Sequence, residues 1–347
     1  MTTSASADGI STSAVDGAVD NPVLAEVVRS DLVESRHRGA VVALAADGRA
    51  LLTAGPTAVP MFPRSSNKPF QAAAMLRCGL QLDGELLALA AASHSGEDFH
   101  VSGVRAILAS AGLTEDDLQC PPDYPLDDKA MHAMIAAGAA RDRVHMNCSG
   151  KHAAMLATCV AAGWPTKSYR DPGHPLQVCI RDTIAKLAGE PVGAVGVDGC
   201  GAPLMAISLA GLARAFRAMV LADPGSPERA VADSMRAHPQ WTSGTTRPER
   251  ALMEAVPGLL LKSGAEGVEG FALDDGRAGA VKVEDGAGRG RVPITVSLLR
   301  RLGAETEPGA DLGALAALAI GPVYGGSELV GEVRATSVLL GEQLATS

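Results

Sequence analysis

Phe62-Pro63-Arg64-Ser65-Ser66-Asn67-Lys68 opens the most informative part of this 347-residue chain. The prolines end an extended segment, and Ser66 to Cys78 then carries Phe70, Ala73, Ala74 and Arg77 at helical spacing before Gly79, which predicts a helix starting at Ser65. At a helix start, Ser-x-x-Lys sets the lysine amine one turn beneath the serine hydroxyl, with free backbone N–H groups aimed at the same spot. The pair can generate an alkoxide nucleophile if burial or a second cation keeps the amine neutral. A serine and a lysine on a solvated surface would read the same way. A second element, Lys262-Ser263-Gly264 after the apolar run Leu259-Leu260-Leu261, adds weight: it predicts a strand that brings another lysine to the opposite wall of a cleft.

Outward from these two elements, strand signals gather at both ends of the chain. Between Val23 and Thr53 two β-prone stretches flank Ala46-Asp47-Gly48-Arg49, and Asp-Gly between apolar runs predicts a hairpin. Phe271 to Leu273 and Gly279 to Val283 flank an Asp-Asp-Gly turn, followed by a helix over Ile294 to Leu302. Between the ends, helices are expected at 84–91, 101–111, 129–139, 151–163, 175–187 and 205–222, with an N-capped start at Leu113-Thr114-Glu115-Asp116. This order predicts an α+β fold in which an antiparallel sheet gathers strands from both termini around a mostly helical subdomain. The corresponding division is a disordered tail over 1–22 and a single catalytic domain over 23–347, with 23–60 and 255–347 as the sheet part and 61–254 as the mostly helical part.

Composition narrows the function classes. Thirty Lys and Arg against 39 Asp and Glu give a net charge of −9, a field that repels nucleic acid and anionic membrane surfaces. No apolar run approaches the ~18 to 20 residues of a membrane span, and the first twenty residues lack the basic and apolar regions of a secretion signal. The expectation is therefore a cytoplasmic enzyme acting on a small molecule, without nucleic acid or membrane partners. Its six cysteines then read as buried thiols or metal ligands and not as disulfide partners.

Three further loops carry chemistry. Ser93-His94-Ser95-Gly96-Glu97 follows a helix and can present a hydroxyl. Asn147-Cys148-Ser149-Gly150-Lys151-His152 stands at a helix start, and Asp198-Gly199-Cys200-Gly201 lies on a Gly-bracketed loop about fifty residues later. Two cysteines, a histidine and an aspartate on such loops suit a Zn²⁺ site; equally, the glycines permit close packing of two buried thiols. Residue chemistry leaves both readings open. Cys78, Cys120, Cys159 and Cys179 have no polar cluster in sequence and read as core or surface thiols.

Lys-[Ser/Thr]-Gly on a strand is the partner of Ser-x-x-Lys in serine β-lactamases and penicillin-binding proteins. The Ser-x-Asn element of that class has no literal match here. At Arg36-x-Arg38-Gly39, Phe62 to Lys68, Ser93 to Glu97, Asn147 to His152, Asp198-Gly199-Cys200 and Lys262-x-Gly264-Ala265-Glu266-Gly267, the chain resembles the rhizobial-type L-asparaginases, also called asparaginase II-like proteins. The resemblance runs from about Val27 to Leu340. It implies a fold related to the serine β-lactamases, hydrolysis of L-asparagine to L-aspartate and ammonia, and two Ser/Lys pairs, Ser65 with Lys68 and Ser93 with Lys262. It also implies Cys148, Lys151 and Cys200 as ligands of a zinc ion close to the substrate.

The expected mechanism is attack of Ser65 on the side-chain amide, with Lys68 as base, Lys262 supplying positive charge and Ser93 relaying protons. Arg64, His94, Asp198 and Gly264 are the expected substrate-binding residues. The alternatives are a serine-dependent glutaminase, a β-lactam or D-amino-peptide hydrolase, and a non-catalytic amino-acid- or zinc-binding protein. Ala-rich helices are compatible with a homodimer.

Overall fold

Pairing starts one turn earlier than the Asp47-Gly48 signal. Ser30 and Asp31 both take left-handed backbone angles, with φ of 46° and 66°, the two-residue geometry that matches the twist of a hairpin. They join β1 (Val23–Arg29) to β2 (Leu32–Leu44). The expected turn then joins β2 to β3 (Ala50–Ala54), closed by Ala45 N donating to Arg49 O. The N-terminal unit thus has three strands where the sequence suggests two, because Ser-Asp lacks the glycine that advertises such a turn. The computed structural model describes residues 20–340; most of the expected 1–22 tail lies outside the described residues.

The remaining strands are β4 (Pro60–Met61), β5 (Ala194–Val197), β6 (Pro203–Ser208), β7 (Leu260–Gly264), β8 (Val268–Ala272), β9 (Ala278–Val283), β10 (Gly321–Gly325) and β11 (Glu328–Ala335). The main sheet runs β10-β11-β1-β2-β9-β8-β7, with β3 also on β2. Both termini meet inside it: β1 pairs antiparallel with β11, Val27 opposite Val333, and β2 with β9, Val42 opposite Ala280. This is the expected α+β class with an antiparallel sheet built from both ends of the chain. A second, small sheet, β4-β6-β5, lies almost wholly within the 61–254 segment, β4 starting at Pro60.

The helices are α1 (Lys68–Arg77), α2 (Gly84–Ala90), α3 (Asp98–Ser110), α4 (Asp128–Ala136), α5 (Ser149–Ala161), α6 (Pro175–Ala188), α7 (Leu209–Leu221), α8 (Pro227–Ala237), α9 (Pro239–Thr242), α10 (Pro248–Ala255), α11 (Arg291–Arg301), α12 (Leu312–Leu318) and α13 (Ser337–Leu340). The single helix expected over 205–222 is two elements. Pro203 to Ser208 is a strand buried along its whole length, and Ser208 then caps α7 by accepting from Gly211 N. A short apolar run buried on both faces gives no period by which to tell strand from helix.

Two apolar cores flank the main sheet. Phe70, Met155, Ile180, Phe216 and Val42 belong to the one on the helical side, and Leu24, Phe271, Ile294 and Leu299 to the other. Phe70 and Phe216 meet edge to face at 5.2 Å, pinning α1 to α7 with one of the few aromatic pairs this aromatic-poor chain has. Among the described residues no helix is long and apolar enough to cross a membrane.

Candidate active site

Ser65 does not begin α1 directly. Arg64 to Asn67 forms a single 3₁₀ turn, and α1 starts at Lys68 with Pro69 in its first turn, where a missing N–H costs nothing. Arg64 holds φ at +52°, an uncommon angle for a side chain of its size. It is fixed there by Asp198 Oδ1, which accepts from Nε at 2.8 Å, and by Glu266 at 3.5 Å. The two residues expected to contact substrate, Arg64 and Asp198, therefore bind each other and lock the serine turn to the loop of Cys200.

Strand β7 presses against this turn from the other side. A Cβ at Gly264 would stand 2.6 Å from Pro63 O and 3.1 Å from Ser66 N, so glycine is required for the strand to approach. Ser65, Ser93, Asn147, Arg247, Ser263 and Gly264 are among the residues lining the resulting cleft of about 320 Å³. Roomier grooves of about 630 and 520 Å³ elsewhere hold no lysine or cysteine.

Lys68 is fully buried behind the inner wall of this cleft. Its Nζ donates to Ser93 Oγ at 3.0 Å, to Ala92 O at 2.5 Å and to Cys148 Sγ at 3.0 Å. The structure thus couples Lys68 to Ser93, not to Ser65 three residues away, because the 3₁₀ turn rotates Ser65 toward the cleft while α1 carries the lysine inward. Lys262 does not pair with Ser93 either; its Nζ donates to Ser263 O at 2.7 Å. Ser93 itself is positioned by its backbone, its N–H bonding Thr242 O at 3.1 Å.

His94 corrects the sequence reading. It is buried with 0% exposure, its Nε2 sits 2.9 Å from Ser149 Oγ, and its Nδ1 accepts from Gly96 N at 3.2 Å. Ser149 passes its own proton to Val144 O at 2.7 Å, so His94 is the Nε2–H tautomer. Burial, with His100 and Lys68 nearby, holds its pKa well below the ordinary value. It is a neutral residue that braces the Ser93 loop against α5 and does not face the cleft.

Behind Lys68 the other three named residues come together. Cys148, Lys151 and Cys200 are buried, with 3%, 2% and 1% exposure. Gly150 lets this end of α5 lie on the end of α2, since a Cβ there would meet Leu89 O at 2.6 Å. Lys151 Nζ donates to Cys200 Sγ at 3.1 Å, and Cys148 donates its S–H to Asn147 Oδ1 at 2.9 Å. The neighbouring Cys148 and the charge of Lys151 bring the Cys200 pKa down against burial, while Cys200 and burial push Cys148 up, so Cys200 is the thiolate and Cys148 the thiol. Burial works against the charge on Lys151, but Cys200, Cys148 and Asp198 outweigh it and raise its pKa. His152, the competing ligand in sequence, turns Nδ1 to Tyr169 OH at 2.6 Å and leaves Nε2 buried without a partner.

Lys262 shows the opposite balance. Burial, reinforced by Lys68, lowers its pKa to about 7 in spite of Glu249. Glu249 is itself held down to about 2, burial being overcome by Arg291 and Arg247, which bind it at 2.9 and 3.3 Å. Arg247, Glu249 and Arg291 went unread in the sequence: each stands beside a Pro or Gly at a helix start, a signal of capping and not of chemistry.

The sequence profile of the L-asparaginase II family matches residues 25–335. The chain belongs to that family. No curated protein matches it. Among solved structures, Mglu in its native form is 15% identical, with a TM-score of 0.39 over 86% of this chain and 67% of that one. Mglu in its glutamate form is 16% identical, with a TM-score of 0.43 over 78% and 62%. This chain therefore spans about two thirds or less of the length of those structures. A β-lactamase from Mycobacterium bovis is 14% identical, with a TM-score of 0.39 over 76% and 94%. Family membership supports an amidohydrolase acting on a small molecule.

Proposed function

We propose that this member of the L-asparaginase II family hydrolyses L-asparagine to L-aspartate and ammonia through a serine nucleophile served by buried lysines. The observation that carries the reading is Lys68 Nζ, 3.0 Å from Ser93 Oγ, at the inner wall of a cleft rimmed by Ser65, Ser263 and Gly264. Ser65 attacks the side-chain amide carbon, its proton passes by way of Ser93 toward the two lysines, and ammonia leaves with a proton returned along the same path. Water then cleaves the aspartyl ester. Two buried ammonium groups close together disfavour each other, and Lys262, with a pKa of about 7, is the amine most easily neutral at working pH. This revises the sequence reading, in which Lys262 only supplied charge.

Zinc is part of the proposal. Among the described residues no group of three or more His, Cys, Asp or Glu could hold a metal ion; the candidate set needs a lysine. Bonds of about 2.0 to 2.3 Å in a tetrahedron put ligand atoms about 3.5 Å apart, and the 3.1 Å between Lys151 Nζ and Cys200 Sγ is close to this. Cys148 and Cys200 as thiolates and Lys151 as the free amine would hold the ion, leaving a fourth position open. Bound there it would supply Lewis acidity toward the substrate's α-amino and α-carboxylate groups.

Glutaminase activity is the competing reading, since one methylene in a cleft is worth only about 1 to 3 kcal/mol. Ammonia release measured on asparagine and on glutamine with purified protein tests the proposal. Faster turnover of asparagine, abolished in Ser65→Ala, is expected; preference for glutamine would overturn the substrate, and full activity of Ser65→Ala the nucleophile.

A further inference from the structure

The sequence reads Cys78 and Cys179 as unconnected thiols; the fold brings them into contact. Cys78 caps the C-terminal end of α1, Cys179 lies in the second turn of α6, and their sulfur atoms are 2.6 Å apart. That is closer than unbonded sulfurs normally stand and about half an ångström from the ~2.05 Å of a disulfide bond. No other pair among the chain's cysteines combines such an approach with access: Cys78 and Cys179 are partly exposed, whereas Cys120, Cys148, Cys159 and Cys200 are buried. We propose that Cys78 and Cys179 form an oxidisable dithiol site which hydrogen peroxide converts to an intramolecular disulfide stapling the end of α1 to α6.

The environment differentiates the two sulfurs. The hydrogen bond from Cys78, together with Thr183 and Arg77, brings Cys179 down to about 7 against burial, while the same hydrogen bond, burial and the charge of Cys179 push Cys78 up. Cys179 is therefore the thiolate that reacts first and Cys78 the thiol that resolves it. The Cys179 thiolate attacks one peroxide oxygen, the O–O bond breaks, and the departing hydroxide takes up a proton to leave as water. This leaves Cys179 as the sulfenic acid. The sulfur of Cys78 then attacks that of Cys179, the S–O bond breaks, and the hydroxide leaves as a second water with the proton of Cys78. Two thiols have lost two electrons and one peroxide has gained them.

The site is separate from the proposed catalytic groups. Lys68 stands at the opposite end of α1, ten residues and about 15 Å of helix away, and Ser65 lies in the turn before it. The cross-link would close a loop of about 100 residues between positions 78 and 179, the kind that most restricts the unfolded chain.

The test uses the full chain, reduced and then exposed to a few equivalents of hydrogen peroxide. Intact mass should fall by two hydrogens, non-reducing peptide mapping should recover Cys78 joined to Cys179, and Tm should rise by about 3 to 8 °C, reversed by dithiothreitol. Cys78→Ser should stop at a Cys179 sulfenic acid that dimedone traps, and Cys179→Ser should leave Cys78 unmodified at the same dose. Recovery of both cysteines as free, alkylatable thiols after oxidation of the wild-type chain would overturn the proposal. So would mapping of the disulfide to Cys148 and Cys200, or sulfenic acid first at Cys78.

Discussion

Lys151 and Lys262 are each 2% exposed, yet their surroundings drive their charge in opposite directions. Lys151 sits against Cys200, Cys148 and Asp198, and the negative charge around it exceeds the cost of burial, so its pKa rises. Lys262 shares its burial with Lys68 and has only Glu249, already committed to Arg291 and Arg247, in compensation, so its pKa falls to about 7. Depth alone therefore does not decide what a buried lysine does; the sign of the nearest charges does. One lysine keeps its charge beside a sulfur-rich cluster; in the proposed mechanism the other exchanges a proton near neutral pH. Lys68, bonded to Ser93 on one side and Cys148 on the other, connects the two regions.

The largest expected effect falls on that connection. Ser65→Ala and Lys68→Met should each reduce kcat on asparagine by ~10³-fold or more, and the double variant should be little worse because the groups act as a unit. Steady-state ammonia release decides it. Near-wild-type turnover in Ser65→Ala, combined with a dead Ser93→Ala, would move the nucleophile to Ser93, the serine that Lys68 touches.

The sulfur-rich region is expected to act on binding more than on chemistry. Cys148→Ala and Cys200→Ala should abolish bound zinc and raise KM by about 10- to 100-fold, with a smaller fall in kcat than in Ser65→Ala. Elemental analysis before and after chelation checks this. Less than ~0.2 zinc per chain in metal-replete preparations would leave the two cysteines as a buried thiol pair.

The other lysine should set the pH profile. If neutral Lys262 is the working base, kcat/KM should fall about tenfold per pH unit below pH ~7 and level off above it, and Lys262→Met should remove that limb along with most of the activity. A rate maximum near pH 5 is incompatible with this assignment.

The smallest effects are on stability, and they differ in sign. The folded pKa of Lys262, about 7, lies below its unfolded value of ~10.4, so between these pH values the unfolded chain binds more protons and stability rises with pH. Lys262→Met should therefore raise Tm by a few degrees at pH 7 and flatten this rise. Lys151→Met should lower Tm in chelator-treated protein, because it leaves the Cys200 sulfur buried without its cation, whereas Asp198 keeps Arg64. Thermal melts of both variants at pH 7 and pH 9 separate the two outcomes, and shifts of the same sign would break the comparison.

The expectation of an antiparallel sheet joining both termini came from local signals that survive in isolation: the Asp47-Gly48 turn, the Asp-Asp-Gly turn before Arg277, and alternation in the flanking runs. The strand at Pro203 to Ser208 was not legible, because burial on both faces erases the period-2 pattern. Nor were β10 and β11, which pair with each other while β11 adds to the edge of β1 more than 300 positions away in the chain.

What the sequence determined by itself was the inventory of reactive groups. Ser-x-x-Lys and Lys-Ser-Gly have meanings set by chain geometry over one turn or one strand, and the cysteine and lysine loops announce soft ligands by their residue types. Only the tertiary structure decided which of these groups touch. It turned Lys68 away from Ser65 and onto Ser93 and Cys148, withdrew His94 into the core, gave two equally buried lysines opposite pKa shifts, and set Cys78 against Cys179 across 101 positions of chain. The reason is physical: hydrogen bonds, Coulomb forces and desolvation depend on distances of a few ångströms, and beyond a helical turn or a hairpin the order of residues does not fix such distances.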